Sequence, residues 1–244
     1  MNKFVVVIPA RYESKRLPGK PLINLEGKSM ILRTYEQCVR AVNANLVYVA
    51  TDNEQIKSHC EKNNIQVVMT PSTCLTGTDR IAEFAKQVEA KTYINVQGDE
   101  PLMNPEDILR IVNFAKQFPD EIINGYAPVL SKEQYNSLTI PKLVFRPDGR
   151  LLYMSRSPIP GNKEDEFRKA WRQICVYAFP NKALLDFASL TDKTTLEKEE
   201  DIEILRFLEL GHEVRMIELS SDSIAVDTPE DAERVRDILE KTEI

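Results

Sequence analysis

Short apolar runs alternate with amphipathic stretches along the first 130 residues. Continuous apolar and β-branched runs predict buried strands at residues 4–8, 46–50, 65–69 and 92–96. Apolar residues at helical spacing predict helices between them, at residues 29–43, 53–62, 78–88 and 105–118. The last of these has Asn104 as its N-cap and Pro105 at its first position. This repeated strand–helix order predicts an α/β fold with a mostly parallel, doubly wound sheet.

The pattern changes in the second half of the chain. Residues 140–153 read as a hairpin whose strands, 143–145 and 151–153, are joined through Pro147-Asp148-Gly149. Further strands are predicted at 173–179, 214–219 and 223–226, and a helix at 197–210 that ends before Gly211. A last helix is expected to start at Thr228-Pro229-Glu230-Asp231 and to run to about residue 241. We therefore expect one domain over residues 1–244, with a β-rich insertion at about 131–180.

Composition narrows the possible classes of protein. The 244 residues are 42% hydrophobic and 29% charged, which is ordinary for a globular protein and excludes a disordered chain. The formal net charge of −6 argues against broad nucleic-acid binding. No apolar run approaches the roughly 18 residues of a membrane span, and the N-terminus does not resemble a signal peptide. The four cysteines show no C-x-x-C spacing, so we expect reduced thiols in a cytoplasmic protein without membrane partners.

A basic loop follows the first predicted strand. Residues 11–20 contain four cations, Arg11, Lys15, Arg16 and Lys20, against the single acid Glu13. Ligands of open α/β sheets bind at the carboxyl ends of the strands, so this loop is a candidate polyanion site rather than a solvated basic loop. It is not a Walker loop, and the chain has no G-x-G-x-x-G, which excludes a nicotinamide-dependent dehydrogenase.

Two acidic segments stand where strands are predicted to end. The strand at 92–96 runs into Gln97-Gly98-Asp99-Glu100-Pro101, and Asp227 follows the strand predicted at 223–226. Carboxylate oxygens beside a phosphate loop are typical ligands of Mg²⁺, so Asp99 and Asp227 are candidate metal ligands. The alternative for Asp99 is a turn cap. Asp227 precedes the helix start and is free to point towards the strand ends.

For the other polar residues at strand ends, the sequence allows either a role in ligand binding or a role as a helix cap. Backbone amides of Thr76-Gly77-Thr78 could contact a base and Arg80 an anion, or Thr78 could merely cap a helix. Asp52 is either a further site residue or a cap. The only histidines, His59 and His212, are expected to be structural, so no Ser-His-Asp or Cys-His arrangement is credible. Without an enzyme nucleophile or a histidine base, catalysis would rest on cations and a divalent metal. Phosphoryl or nucleotidyl transfer is compatible with this, because it depends mainly on neutralising charge.

Five motifs then occur in order along the chain and identify a resemblance. They are Pro9-Ala10-Arg11-Tyr12 with Arg16-Leu17-Pro18-Gly19-Lys20-Pro21, Thr76-Gly77-Thr78-Asp79-Arg80, Asn95-Val96-Gln97-Gly98-Asp99-Glu100-Pro101, Leu152-Tyr153-Met154-Ser155-Arg156, and Asp227-Thr228-Pro229-Glu230-Asp231. With them the chain resembles the 3-deoxy-manno-octulosonate (Kdo) cytidylyltransferases, or CMP-Kdo synthetases, over essentially its whole length. The resemblance implies a Rossmann-like nucleotidyltransferase fold and a homodimer with contacts from the insertion.

The resemblance also implies a reaction and a set of site residues. CTP would react with a 3-deoxy-2-ulosonic acid to give the CMP-sugar and pyrophosphate, with Mg²⁺ held by Asp99 and Asp227. The implied catalytic residues are Arg11, Lys20, Asp99 and Asp227. The implied nucleotide-binding residues are Ala10, Arg11, Lys20, Thr76, Gly77, Arg80 and Gln97. The implied sugar-binding residues are Arg80, Arg156, Gln173, Tyr177 and Ile204.

Two positions depart from the pattern of the Kdo enzymes. Gln173 stands where they carry histidine in R-H-[LI]-G-[IL]-Y, and Ile204 stands where they carry glutamine in L-E-Q-L-R. Both belong to the expected sugar pocket, so the acceptor could be Kdo, its 8-amino analogue or a sialic-acid-like nonulosonate. A catalytically silent nucleotide-binding module is a third reading. The combination of Lys20, Asp99 and Asp227 argues against it, because a protein that only binds a nucleotide does not need a pair of metal-binding carboxylates.

Overall fold

The structure, a computed structural model, describes residues 2–14, 16–164, 166–221 and 223–242. Lys15, one of the four cations predicted to bind a polyanion, lies outside the described residues. Within these ranges no helix is both long and apolar enough to cross a bilayer.

One large sheet forms the centre of the fold. Its strand order is β11-β7-β10-β6-β1-β4-β5, and the hairpin β8–β9 extends it from β10. The pairs β1–β6, β1–β4, β4–β5 and β7–β11 are parallel, whereas β10 runs antiparallel to both β6 and β7. The strands are β1 Asn2–Ala10, β2 Asn24–Leu25, β3 Lys28–Ser29, β4 Val47–Thr51, β5 Gln66–Met69, β6 Ala90–Val96, β7 Ile122–Pro128, β8 Lys142–Phe145, β9 Leu151–Ser155, β10 Trp171–Pro180 and β11 Val214–Glu218.

Helices cover both faces of this sheet. One apolar cluster includes side chains of α1, α2 and α4, and a second, on the other face, includes side chains of α3, α6 and α8. The predicted α/β fold with a mostly parallel sheet is therefore confirmed. The helices are α1 Met30–Ala41, α2 Glu54–Lys62, α3 Gly77–Ala85, α4 Pro105–Gln117, α5 Lys132–Asn136, α6 Asn181–Ala188, α7 Thr195–Glu200, α8 Ile204–Glu209 and α9 Pro229–Thr242.

Two predicted elements are wrong. The helix expected at 197–210 is broken into α7 and α8, because Asp201 adopts a left-handed conformation (φ 52°) that ends α7. The strand expected at 223–226 is absent, since residues 223–227 run irregularly. They attach to the end of β6 instead, through a bond from the Val226 amide to the Asp99 carbonyl (2.9 Å) and one from the Ser223 hydroxyl to the Glu100 carboxylate.

Several elements have no counterpart in the sequence-based prediction, among them β7, α5, α6 and the two-residue strands β2 and β3. The segment predicted as an insertion at 131–180 supplies the hairpin and also β10, which lies inside the main sheet between β6 and β7. An antiparallel strand inserted among parallel ones cannot be recognised from hydrophobic periodicity, because the periodicity carries no strand direction.

The parallel strands bring their following loops to one edge of the sheet. Ala10 at the end of β1 lies opposite Thr51 at the end of β4, and β6 ends on the other side of β1. A Cβ on Gly98 would lie 2.8 Å from the carbonyl oxygen of Pro9, so only glycine allows the chain after β6 to pass this close to β1. The backbone of Asp99 is thereby held beside the basic loop.

Candidate active site

A cavity of about 1020 Å³ opens at this edge of the sheet, large enough for a nucleotide and a sugar. Its walls come from the basic loop after β1, the start of α3, the end of β6, the α7–α8 region and the irregular segment before α9. Among the described residues, five cationic and five acidic side chains line it, so charges of both signs are concentrated there. They are Arg11, Arg16, Lys20, Arg80 and Lys193, and Glu13, Asp99, Asp201, Glu203 and Asp227.

The Lys20 ammonium group lies between two carboxylates. Its Nζ donates to Asp99 Oδ2 at 2.7 Å and to Asp227 Oδ1 at 3.1 Å. The Lys20 side chain is only 15% exposed. Arg16 also reaches Asp227 Oδ1, at 3.1 Å, from a side chain that is 57% exposed. The structure therefore brings Lys20 of the basic loop together with the two candidate metal ligands, Asp99 and Asp227. Arg16, from the same loop, joins them through Asp227.

The pKa values in this cluster reflect its alternating charges. Burial alone would lower the pKa of Lys20, but the Asp99 and Asp227 carboxylates more than offset it and raise that pKa. Burial alone would raise the pKa of Asp227, but Lys20 and Arg16 lower it below its usual value. The lysine is thus held as a cation and Asp227 as an anion near neutral pH.

Glu100, which follows Asp99, is buried and attaches the segment before α9 to the end of β6. Burial, followed by the charge of neighbouring Asp99, raises its pKa to about 7, and Ser223 donates a hydrogen bond to it. Its side chain faces away from the cavity and fastens the irregular segment before α9 to the end of β6. Asp227 reaches Lys20 because this segment is held there.

Arg11 differs from the other cations of the cavity. Throughout the described parts of the chain, no group forms a hydrogen bond or ion pair with its guanidinium, although Asp201 is near enough for the charge of Arg11 to lower the Asp201 pKa. The Lys193 Nζ lies 2.6 Å from Asp201 Oδ1, so Asp201 has its own partner. Arg11 is consequently available to an anionic ligand, and its contact with the triphosphate stays a prediction.

The start of α3 forms one wall of the cavity. Thr76 is its N-cap and forms a capping box with Asp79, so the prediction of Thr78 as the cap is wrong. The amides of Gly77 and Thr78 donate to the half-buried Glu203 carboxylate at 3.3 and 2.8 Å. The expectation that these amides are free donors is therefore also wrong.

Arg80 is fixed in place by partners outside the cavity. Its Nη1 donates to Thr70 Oγ1 at 2.6 Å and its Nη2 to Asp52 Oδ2 at 2.8 Å, and the residue is 3% exposed. Asp52 thus acts as the partner of Arg80, and its neighbour Asn53 is the cap of α2. Such a rigid, largely neutralised guanidinium is suited to shaping the cavity and to polar contacts.

A buried ion pair holds the α7–α8 region against α3. Arg206 Nε donates to Glu197 Oε2 at 2.6 Å, and both residues are fully buried. The same guanidinium contacts Asp79 of the α3 capping box at 3.3 Å. Because an unpaired charge at this depth is costly, this network keeps the wall that carries Glu203 in register with the start of α3.

The remaining predicted site residues divide into two groups. Ala10, Thr76, Gly77, Arg80 and Gln97 line the cavity together with the four predicted catalytic residues. The cavity lining does not include Arg156, Gln173, Tyr177 or Ile204.

Those four residues have partners elsewhere. The Arg156 guanidinium donates to the backbone carbonyls of Leu138, Glu200 and Asp201. Gln173 Nε2 donates to Asn124 Oδ1 at 3.0 Å in the buried interior. Tyr177 and Ile204, 8% and 1% exposed, belong to the apolar cluster beneath α3 and α8.

Sequence reasoning missed three charged residues of the cavity, Lys193, Asp201 and Glu203. All three lie in the region predicted as one continuous helix or just before it. The break at Asp201 turns this region towards the sheet edge. For Glu203 the available signal was its place in the segment that matches L-E-Q-L-R, where it stands at the glutamate of the pattern.

The donor chemistry of the site fits a hard divalent cation. Among the described residues no group of three or more His, Cys, Asp or Glu side chains could hold a metal ion. Mg²⁺ in nucleotide enzymes, however, is commonly bound by one or two carboxylates, with phosphates and water completing its ligands. Asp99 and Asp227 both contact one cationic atom, Lys20 Nζ, so a single cation can touch both carboxylates.

The family model described as Cytidylyltransferase matches residues 5–217 of this chain. A 3-deoxy-manno-octulosonate cytidylyltransferase from Protochlamydia amoebophila is 37% identical, over 98% of this chain and 95% of the relative. An enzyme of the same name from Chlorobium phaeobacteroides is 40% identical, over 97% of each chain.

Comparison with solved structures agrees. A CMP:2-keto-3-deoxy-manno-octonic acid synthetase complexed with CTP superimposes with a TM-score of 0.92 at 32% identity, covering 99% of this chain and all of the other. A glucose-1-phosphate thymidylyltransferase from Bacillus anthracis, described as putative, has a TM-score of 0.68 at 13% identity, over 96% of this chain and 94% of the other, and shares the fold alone. From full-length sequence similarity, the family model and the fold, this chain belongs to the 3-deoxy-manno-octulosonate cytidylyltransferase family.

Proposed function

We propose that this protein transfers CMP from CTP to the anomeric hydroxyl of Kdo and releases pyrophosphate. The observation that carries the proposal is the meeting of Lys20, Asp99 and Asp227 beside the unpaired Arg11 in a nucleotide-sized cavity. The relatives named as Kdo cytidylyltransferases support this choice of acceptor.

Two cations are placed to bind the triphosphate. Arg11 has no partner of its own among the described residues, and Lys20 can exchange a carboxylate for a phosphate oxygen. Because negative charge grows on the leaving pyrophosphate in the transition state, cations in this position stabilise the transition state more than the bound substrate. Gln97 packs against Gly77 and lies with it on the wall we assign to the nucleoside.

Asp99 and Asp227 would hold Mg²⁺ together with phosphate oxygens. When bound there, the ion would lower the pKa of the attacking hydroxyl and neutralise phosphate charge. The chain's own part is to keep Asp227 ionised and to hold the two carboxylates close together. Lys20, Arg16 and the anchoring bonds of Val226 and Ser223 provide this.

The side chains of the cavity favour direct attack of the sugar on the α-phosphorus. The described lining residues with a hydroxyl or thiol are Tyr12, Ser14, Cys74 and Thr76. The Tyr12 ring packs against Gly19. Ser14 accepts a bond from Leu17, Thr76 is occupied in its capping box, and burial raises the pKa of Cys74. The Thr76 hydroxyl donates to Asp79 Oδ2 at 2.7 Å, but both groups are committed to the helix cap. We therefore assign the attack to the sugar: one P–O bond would form to the anomeric oxygen as the bond to pyrophosphate breaks, and the hydroxyl proton would leave to solvent.

The segment 131–180 also supports a proposal of a homodimer. Leu138 and Leu152, 65% and 57% exposed, lie on its surface, as does the neighbouring Leu130 at 67%. Three of the seven large exposed hydrophobic residues in the described chain thus fall between residues 130 and 152, and exposed apolar side chains are typical of a surface that associates with a second chain. We propose that a second copy of this protein covers them.

The acceptor is tested with a panel of sugars. We expect CTP and Mg²⁺ to support pyrophosphate release with Kdo, and each assay omits the sugar as its control. Release only with the 8-amino analogue or with N-acetylneuraminate would contradict Kdo as acceptor while leaving cytidylyl transfer intact. Absence of release with every sugar would contradict the proposed reaction.

The charge cluster is tested by substitution. Asp99→Ala and Lys20→Ala are each expected to lower kcat by at least about a hundredfold, because both groups act on charge in the transition state. Steady-state pyrophosphate release at saturating CTP measures this. Lys28→Ala and Asp148→Ala, which remove ion-paired charges outside the cavity, serve as matched controls. Near-normal kcat in either cavity variant would refute the assigned roles.

The dimer is tested by charge at its proposed contact. Wild-type protein should elute and scatter light as a dimer of about twice the chain mass, and a Leu138→Asp/Leu152→Asp variant as a monomer. Lys182→Asp, at an exposed position on α6, is the control. A monomeric wild type, or a double variant that remains dimeric, would contradict this contact.

A further inference from the structure

The Lys20 ammonium group occupies the place that a metal ion would take. Its Nζ contacts one oxygen of Asp99 at 2.7 Å and one of Asp227 at 3.1 Å. A Mg²⁺ ion binds carboxylate oxygens at about 2.0–2.1 Å. An ion touching both of these oxygens would stand in contact with Nζ, so lysine and metal exclude each other from the shared position.

The charges of the cluster reinforce this exclusion. Arg16 and Lys20 contribute two positive charges, and Asp99 and Asp227 contribute two negative ones. The carboxylates are therefore already neutralised, and a divalent cation arriving beside both cations would be repelled. The contacts are also sheltered, since the Lys20 side chain is 15% exposed and the Asp99 side chain 27%.

The phosphates of a nucleoside triphosphate are anions that can draw the Lys20 ammonium group away from the two carboxylates. Lysine carries a compact charge on a flexible four-carbon chain, so its ammonium can turn to a new anion while its backbone stays in place. The backbone around Lys20 is fixed, because Gly19 donates its amide to the Tyr12 carbonyl and residues 20–22 form a short 3₁₀ turn. A phosphate group entering beside Arg11 would compete with the carboxylates for the ammonium alone.

We propose that Lys20 blocks the Asp99–Asp227 site against divalent cations in the free protein, and that CTP opens the site by drawing Lys20 onto its phosphates. This inference rests on the proposed metal-binding role of the two carboxylates. It makes binding ordered, because the metal enters with the nucleotide or after it. It also prevents the free protein from storing metal at an incomplete site.

The test is Mn²⁺ binding to the full-length protein without nucleotide, measured from the free-ion electron paramagnetic resonance signal. Lys20→Met should bind Mn²⁺ at least tenfold more tightly than wild type, because it leaves both carboxylates uncompensated at the shared position. Arg16→Met should give a smaller increase, because Arg16 touches only Asp227. Lys28→Met removes a lysine that also lies 2.7 Å from a carboxylate, Glu36, outside the cavity, and should bind as wild type does.

A double variant assigns the bound ion to the site. Adding Asp99→Asn to Lys20→Met should abolish the tightened binding. Circular dichroism confirms folding of each variant, and Lys20→Gln replaces Lys20→Met if the latter does not fold. Equal Mn²⁺ affinity in wild type and in the folded Lys20 variant would overturn the proposal, as would tightening that survives the Asp99 substitution.

The proposed metal site is tested separately by equilibrium dialysis with labelled CTP. Mn²⁺ should tighten CTP binding by wild type relative to chelator, and it should not do so for Asp99→Asn. If this coupling is present but Lys20→Met binds free Mn²⁺ no better than wild type, the blocking role fails and the metal site stands. If the coupling is absent, the proposed metal site fails, and the blocking role fails with it.

Discussion

The contact of one ammonium group with two carboxylates determines the shape of this site. Lys20 is 79 residues from Asp99 and 207 from Asp227 in sequence, yet one nitrogen bonds to both. Each partner comes from a different connection at the sheet edge: the loop after β1, the end of β6, and the segment before α9. Removing the lysine would leave the two carboxylates facing each other with no cation between them. The cavity exists in this form because these charges balance.

The rest of the fold supplies rigid supports for that balance. Because Gly98 has no side chain, the backbone after β6 can lie directly against the end of β1. The hydrogen bond between Ser223 and Glu100 attaches the irregular segment before α9 to the end of β6. On the opposite wall, the buried pair of Arg206 and Glu197 joins α8 to α7, and the same guanidinium contacts Asp79 of α3. Buried ion pairs of this kind add little net stability, but they are costly to break, so they specify one arrangement of the wall.

Asp227 was identified as a candidate from a strand at 223–226 that the structure does not contain. The basic loop and Asp99, by contrast, could be predicted from sequence, because the parallel strands β1 and β6 bring the residues that follow them to one edge of the sheet. The opposite wall could not. The hydrophobic pattern of residues 197–210 is that of a continuous helix and does not reveal that Asp201 adopts a left-handed conformation. The turn that brings Glu203 to the cavity therefore could not be predicted from the sequence. Gln173 and Ile204 were assigned to a sugar pocket by resemblance, whereas the structure places the first in an amide pair with Asn124 and the second in the core. That assignment remains a prediction.

The central claim is that charges positioned around the phosphates, rather than a covalent enzyme nucleophile, drive the transfer. Stereochemistry at the α-phosphorus tests it most directly. One diastereomer of CTP carrying sulfur on the α-phosphate is converted to the CMP-sugar, and ³¹P nuclear magnetic resonance determines the configuration of the product. A single displacement by the sugar hydroxyl predicts inversion at phosphorus. Retention would show two displacements through a nucleotidylated side chain, and would contradict the account.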